Sequence, residues 1–295
     1  MPELMTTEET ASYLRLSERK LYELIANAAV PCTKATGRWL FPKAALDRWL
    51  SAGLVTPLAL AHAVAPPIVG GSHDPLLEWA LRESGCGLAS LPEGSEAGLQ
   101  RLARGEVTVA AIHLHRLDGQ DETVNIDAVG SAPGLHDAVV IAFARREQGL
   151  LVPPGNPLGL RDIVSVAERG ARMAQRPSGA GAQLLYLALL SMGGLTPEAI
   201  NAVKPVCVTG ADIAQAVRSR RADCGIATRA VARAAGIDFL PLTEERFDLV
   251  LRQRDYFLPP QQTLFDFLRT AAFSAHAGEL GGYDVEQVGA VRLVN

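Results

Sequence analysis

From residue 66 onward the chain repeats its own punctuation, and this duplication constrains the fold more than any other feature. The stretch "PPIVGGSHDPLLEWALRESG" reads as a short apolar strand, a Gly-Ser turn and a helix. About 105 residues later "RMAQRPSGAGAQLLYLALLSMGG" gives the same order. A second pair matches as well: "SEAGLQRLARGEVTVAAIHL" and "TGADIAQAVRSRRADCGIAT" each read as a capped helix, a polar turn and an apolar strand. Strands alternating with helices imply an α/β sheet, and two copies of the plan imply two lobes. Helices that start on the same edge of such a sheet bring their N-termini to one crevice.

Four helix starts belong to that edge: Ser72 to Asp74, Ser95 to Glu96, Ser178 to Gly181, and Thr209 to Asp212. Each offers unpaired N–H groups and a hydroxyl, and the helix dipole favours negative charge there. One such Ser or Thr alone reads as an ordinary N-cap, whereas four in matching positions point to an anionic ligand. The expected ligand-binding set is Ser72, His73, Ser95, His113, Arg176, Ser178, Gly179, Gly181 and Thr209. Arg176 carries most of the expectation, because its planar, permanently charged fork suits an oxyanion. The competing reading makes Arg176 an ion-pair brace for its loop.

Other chemistries find less support. "RPSGAG" lacks the G-K-[ST] of a P-loop, and no acidic residue about 20 positions on completes a dinucleotide fingerprint. Ser72, His73 and Asp74 are sequence neighbours, and neighbours seldom converge as a triad. His113 and His115 alternate on "IHLHR" and share one strand face. Without a Cys or acidic set at ligand spacing they are not read as a metal site; His113 is assigned to the crevice and His115 to the scaffold. No catalytic residue, metal or cofactor is expected.

The 295 residues suffice for about two domains. Residues 1–54 carry a net charge of +1 and the remainder −5, so a weakly basic head precedes an acidic body. The four cysteines are scattered, the N-terminus lacks a signal-peptide run and no apolar stretch spans a bilayer, so a cytoplasmic protein with no membrane partner is expected.

The head has its own logic. Thr7 is read as the cap of a first helix and Ser17 of a second, with only a tight turn between them. "CTKATGRWLF" reads as a hairpin with Gly37 at its tip, and "PKAALDRWL" as a last helix that Pro42 starts. Trp39, Phe41, Leu46 and Trp49 are assigned to its core. Residues 51–65 are a linker candidate, compatible with a dimer contact or with packing on the body.

"TTEETASYLRLSERKLYELI" and "GRWLFPKAALDRWL" resemble the excisionase-type, MerR-like winged helix-turn-helix family over about the first 50 residues. The resemblance implies contacts to double-stranded DNA from Ser17, Arg19, Lys20 and Tyr22 at the start of the recognition helix, and from Lys34 and Arg38 on the wing. A merely solvated charged face is the alternative. One such head is small for a genomic site, so a homodimer is expected.

The body, through "VGGSHDPLLEWAL", "REQGLLVPPGNPLGLRDI", "QRPSGAGAQLLYLALL" and "GIDFLPLTEERFDLVL", resembles type II periplasmic-binding proteins in soluble form. That implies a winged helix-turn-helix domain (1–54), a linker (55–65) and a two-lobed domain (66–295). Lobe 1 takes about 66–145 plus 246–295, lobe 2 about 146–245, and the chain crosses between them near 143–153 and 240–250. Related domains are linked to molybdate and tungstate, so a ligand-responsive regulator sensing a tetrahedral oxyanion is the first expectation. Gln183 stands where a second basic residue is common, which weakens the case for a highly charged ligand. A small organic or molybdenum-cofactor-related metabolite is the alternative, with Trp79 and Tyr186 as its stacking candidates. A recombination accessory protein is the reading from a different class.

Overall fold

The structure is a computed structural model and describes residues 4–52, 65–117 and 122–295. It divides into two compact units, residues 1–63 and 64–295. Most of the linker candidate lies outside the described residues.

In the first unit β1 (Leu4–Met5) is followed by α1 (Thr7–Leu14), α2 (Glu18–Ala26), β2 (Phe41–Pro42) and α3 (Lys43–Ala52). The cap of α1 is Thr6, one residue before the expected Thr7; its side chain and that of Glu9 form a reciprocal capping box, which only that spacing allows. Ser17 caps α2 as expected. The turn between the helices closes on Arg15 in the left-handed region, φ 54°. Gly37, φ 79°, lies in the turn of the hairpin joined by Thr33 and Leu40, and β1 pairs antiparallel with β2. Met5, Leu21, Phe41 and Leu46 are fully buried, with Trp39 and Trp49 packed against them.

The second unit runs β3 (Ile68–Gly71), α4 (Pro75–Glu83), β4 (Ala89–Pro92), α5 (Ser95–Arg104), β5 (Val109–Ile112), α6 (Val124–Ser131) and β6 (Ala138–Val152). It continues through α7 (Ile163–Glu168), β7 (Arg172–Ala174), α8 (Gly181–Met192), β8 (Asn201–Val203), α9 (Gly210–Arg218), β9 (Cys224–Thr228), α10 (Arg229–Ala235) and β10 (Asp238–Arg252). The chain closes with α11 (Gln253–Tyr256), α12 (Pro259–Leu268), α13 (Ala271–Leu280), β11 (Tyr283–Asp284) and β12 (Val291–Val294).

Among the described residues these strands form one sheet in the order β4-β3-β5-β10-β6-β9-β7-β8, with β11 and β12 also on β6. The βαβ units at either end are parallel, β3 with β4 and β5, β7 with β8 and β9. The two 15-residue strands β6 and β10 pair antiparallel along their whole lengths and belong to both lobes. Their ladder is interrupted by bulges between Pro241 and Thr243 and between Phe247 and Asp248.

Each lobe keeps separate apolar clusters on the two faces of its part of the sheet. Phe143, Phe247, Phe265 and Phe273 fill one side of lobe 1, and Leu102, Ile112 and Val140 the other. Met173, Tyr186 and Ile226 hold α7 and α8 to lobe 2, while Ile213, Val217 and Val231 hold α9 and α10. Small residues permit the closest approach: a Cβ on Gly98 would lie 2.5 Å from the Cα of Gly71, so α5 rests directly on β3.

Candidate functional site

A cavity of about 30 Å³ lies between the lobes. Ser72, His73, Pro75 and His113 line it from lobe 1, Arg146 and Gln148 from β6, and Arg176, Gly181, Ala182, Gly210, Ile226, Ala227, Thr228 and Val231 from lobe 2. The volume suits a few heavy atoms, since a single water needs about 10–15 Å³ by the same measure.

Behind the cavity is a buried charged cluster built on the crossing strands. Arg146 is 2% exposed; its Nη1 donates to Asp74 Oδ2 at 2.6 Å and its Nε to Glu245 Oε1 at 2.6 Å. Its guanidinium also lies 4.2 Å over the ring of Phe247. Asp74 caps α4 through Leu77 N–H, at 2.9 Å, and accepts the Tyr283 hydroxyl at 2.9 Å. Burial and the Asp74 charge raise the Tyr283 hydroxyl well above its ordinary pKa. Glu245 Oε2 meets His113 Nδ1 at 2.9 Å and His115 Nε2 at 2.7 Å, and Oε1 accepts Gln148 Nε2 at 3.0 Å.

Burial opposes ionisation of Glu245, yet the surrounding charges and donors hold its pKa well below the usual carboxylate range. Burial pushes His113 down to about 4, so it is neutral near pH 7 and Arg146 is the neighbouring charge that keeps Glu245 ionised. An ionised carboxylate only accepts, so His113 carries its proton on Nδ1 and leaves Nε2 as an acceptor. His113, His115 and Glu245 have ligand atoms within 4.8 Å of one another, the spacing of a metal site. Each His meets Glu245 through a ring proton, and the Arg146 cation bonded to the same carboxylate opposes a second cation. These residues form an ion-paired cluster and do not fit a metal.

Arg176 is its opposite. It belongs to the loop before α8, its backbone N–H is held by Gln183 Oε1 at 3.0 Å, and its side chain lines the cavity. The guanidinium makes no hydrogen bond or ion pair among the described residues, and its Nε is buried without a partner. Burial pushes its pKa down to about 10, with the Asp212 charge partly offsetting the shift. The position expected of a basic residue, Gln183, instead anchors Arg176 and Gln175.

The other sequence candidates divide. Ser72, His73, His113 and Gly181 line the cavity beside Arg176. The Ser72 hydroxyl is 2.7 Å from that of Ser95. Ser95 is wholly buried, donates to His113 O at 2.8 Å and accepts from His113 N–H at 3.0 Å, so it braces the wall rather than facing a ligand. Ser178 is exposed and outside the lining, because α8 starts at Gly181, the last residue of the expected start. Gly179 is buried against Glu96, where Glu96 N–H reaches Gly179 O at 3.4 Å, a contact between lobes. Thr209 is held in a capping box with Asp212, and the next residue, Gly210, lines the cavity in its place. Trp79 packs on Phe267 and stacks on His276, and Tyr186 is core; neither lines the cavity.

α8 has no side-chain cap, so the first-turn N–H groups at Gly181 and Ala182 are presented at the cavity. Gly181 is required there, since a Cβ would fall 2.2 Å from the carbonyl oxygen of His113. Sequence reasoning missed Arg146, Gln148 and Glu245. Their signal was period 2: Arg146 and Gln148 share one face of a strand whose flanks are apolar.

In the first unit Arg19 and Lys20 are exposed and both reach Glu23, at 3.7 and 2.9 Å. Tyr22 is about half exposed. Lys34 lies 5.2 Å from the Trp39 ring centre, and Arg38 is exposed on the same hairpin. Ser17 is committed to its cap.

The profile of the helix-turn-helix domain matches residues 4–53, and that of the PBP superfamily domain matches residues 78–269. The chain is 22% identical to the uncharacterized protein YvgK of Bacillus subtilis over 303 residues, 98% of this chain and 97% of that one. It is 29% identical to an uncharacterized protein of Clostridium pasteurianum from the 5′ region of a 2Fe-2S ferredoxin gene, over 33% of this chain and 88% of that one. Among solved structures, the tungstate ABC transporter from Geobacter sulfurreducens superposes with a TM-score of 0.51 at 15% identity, covering 73% of this chain and 99% of that one. None of the described helices is long and apolar enough to cross a membrane. The chain belongs to the PBP superfamily and joins that ligand-binding domain to an N-terminal helix-turn-helix domain.

Proposed function

We propose that this chain is a one-component transcriptional regulator whose two-lobed domain senses a small anion and whose head binds duplex DNA. The observation that carries the ligand class is Arg176, a cation at a small interlobe cavity with no acceptor of its own. Charges buried without partners are costly, and an anion would supply the missing partner. The uncapped start of α8 adds N–H donors of the same polarity. A tetrahedral oxyanion such as molybdate or tungstate and the anionic group of a small organic metabolite both meet this requirement. A pterin ring finds no aromatic partner in the lining, because Trp79 and Tyr186 lie elsewhere.

We read the cavity as one for binding without catalysis, with Ser72 against Ser95 and His113 Nδ1 held by Glu245. Signalling requires the ligand to favour one arrangement of the lobes, which contacts from both Ser72 and Arg176 would provide. DNA binding by Arg19, Lys20, Tyr22, Lys34 and Arg38, action as a homodimer and a cytoplasmic setting complete the reading. The test is fluorescence anisotropy of full-length protein on its own upstream DNA, titrated with molybdate, tungstate, sulfate, phosphate and small carboxylates. At least one anion should change the DNA affinity at fixed ionic strength; DNA binding indifferent to the whole panel would refute the regulator.

A further inference from the structure

The cavity wall offers a second unmet group of the opposite kind. Gln148 is 2% exposed and lines the cavity, and its Oε1 is buried with no hydrogen-bond partner. The amide cannot turn over to become a donor at the cavity. Its Nε2 is bonded to Glu245 Oε1 at 3.0 Å, and reversal would set the amide oxygen against a carboxylate that only accepts. Glu245 is itself fixed by Arg146, His113 and His115. The His113 ring gives its Nδ1 proton to the same carboxylate, so its other nitrogen is an acceptor too. The Arg176 side of the cavity therefore presents a cation, while Gln148 on β6 and His113 just after β5 present acceptors.

We infer that the ligand is a small anion bearing its own O–H or N–H donor, placed so that the anionic oxygens meet Arg176 while the donor meets Gln148 Oε1. This deepens the anion-sensing reading and rests on it. A fully deprotonated tetraoxo anion can satisfy Arg176 but not Gln148, since it has only acceptors to offer. A protonated phosphate group and a hydroxy or amino acid share the required chemistry. A buried polar group left unpaired is the strongest available means of rejecting an analogue that lacks one hydrogen.

Isosteric pairs decide it, with full-length protein and isothermal calorimetry at pH 7. Phosphate against sulfate tests the inorganic source, and lactate against 2-methylpropanoate, whose methyl group replaces the hydroxyl, tests the organic one. The donor-bearing member of at least one pair should bind at least tenfold tighter. In Gln148→Met, which keeps length but removes the acceptor, that ratio should collapse toward one. A merely structural role for Gln148 would weaken both members alike and leave the ratio intact, which would overturn the inference. Equal binding of both members in the wild-type protein, or molybdate binding more tightly than any donor-bearing anion, would also overturn it while leaving the anion reading standing. No binding by any of these anions would remove both together. Should Gln148→Met not fold, the wild-type ratios alone still decide.

Discussion

Two arginines at one cavity have opposite fortunes. Arg146 on β6 is buried deeply and answered by two carboxylates, Asp74 and Glu245, with Phe247 beneath it. Arg176 on the lobe 2 loop makes no hydrogen bond or ion pair among the described residues. Both line the cavity, so proximity to it does not separate them. The difference is in what the protein itself supplies. A charge saturated by its own chain holds lobe 1 and the crossing strands together, whereas a charge without an acceptor is available to a ligand.

The contrast breaks most visibly at Arg146. Arg146→Met leaves Asp74 and Glu245 buried without a cation, so the domain should lose about 3–5 kcal/mol, read as a lower midpoint in urea denaturation. A loss below 1 kcal/mol would mean the cluster is not the brace described. His113 sharpens the same point through pH. Its pKa is about 4 in the fold, pushed down by burial, against 6.5 in the unfolded chain. The unfolded state thus binds more protons between those values, and stability falls as pH drops from about 6.5 toward 4. His113 should contribute up to about 3 kcal/mol over that window. A His113→Asn protein should show a shallower pH slope there; an unchanged slope would assign the acid sensitivity to other groups.

Arg176 should behave in the reverse manner. Arg176→Met removes a cation with no partner, so ligand-free stability should change by less than about 1 kcal/mol. Ligand affinity should fall about ten- to a hundredfold, the loss of a charge-assisted contact of about 1.5–3 kcal/mol. Calorimetry with the tightest-binding anion checks this. Unfolding of the variant would return Arg176 to the bracing role. The smallest effect concerns the head. Arg38→Ala should reduce the slope of log K against log salt by about one unit on any duplex, as expected for one phosphate contact. An unaltered slope would leave Arg38 a solvated charge.

The sequence made the two-lobed α/β plan legible because small-residue turns and apolar runs are local signals. "GGS" and "GAG" mark the two matching turns, and the apolar stretches ending in Val152 and in Leu251 mark the long strands. The cap of α1 was harder by one residue, Thr6 in place of Thr7, because either threonine can supply the bond, while the caps Asp74 and Ala180 fall inside the expected starts. The site was half legible. Ser72, His113 and Arg176 fall in the lining, but Ser95 and Thr209 hydrogen-bond inside the protein, which no spacing rule reveals. Arg146 and Glu245 lie 99 positions apart and meet only because β6 and β10 pair in register around Arg146 and Glu245 themselves. Long-range pairing of that kind is invisible to a local pattern.

The pairing of β6 with β10 also governs how the domain is made. β5 finds one of its neighbours in β10, and β6 pairs with β10 along its entire length. Lobe 1 therefore consists of two pieces of chain separated by all of lobe 2, and its central strand is synthesised after lobe 2 is nearly complete. At about 5–20 residues per second on the ribosome, the first half of lobe 1 waits several seconds or more with β5 and β6 unpaired on that side. Lobe 1 cannot be cut out as a continuous fragment, and a truncation before Asp238 would leave β5 and β6 without β10. The cavity comes into being late in synthesis, when residue 245 reaches residue 146.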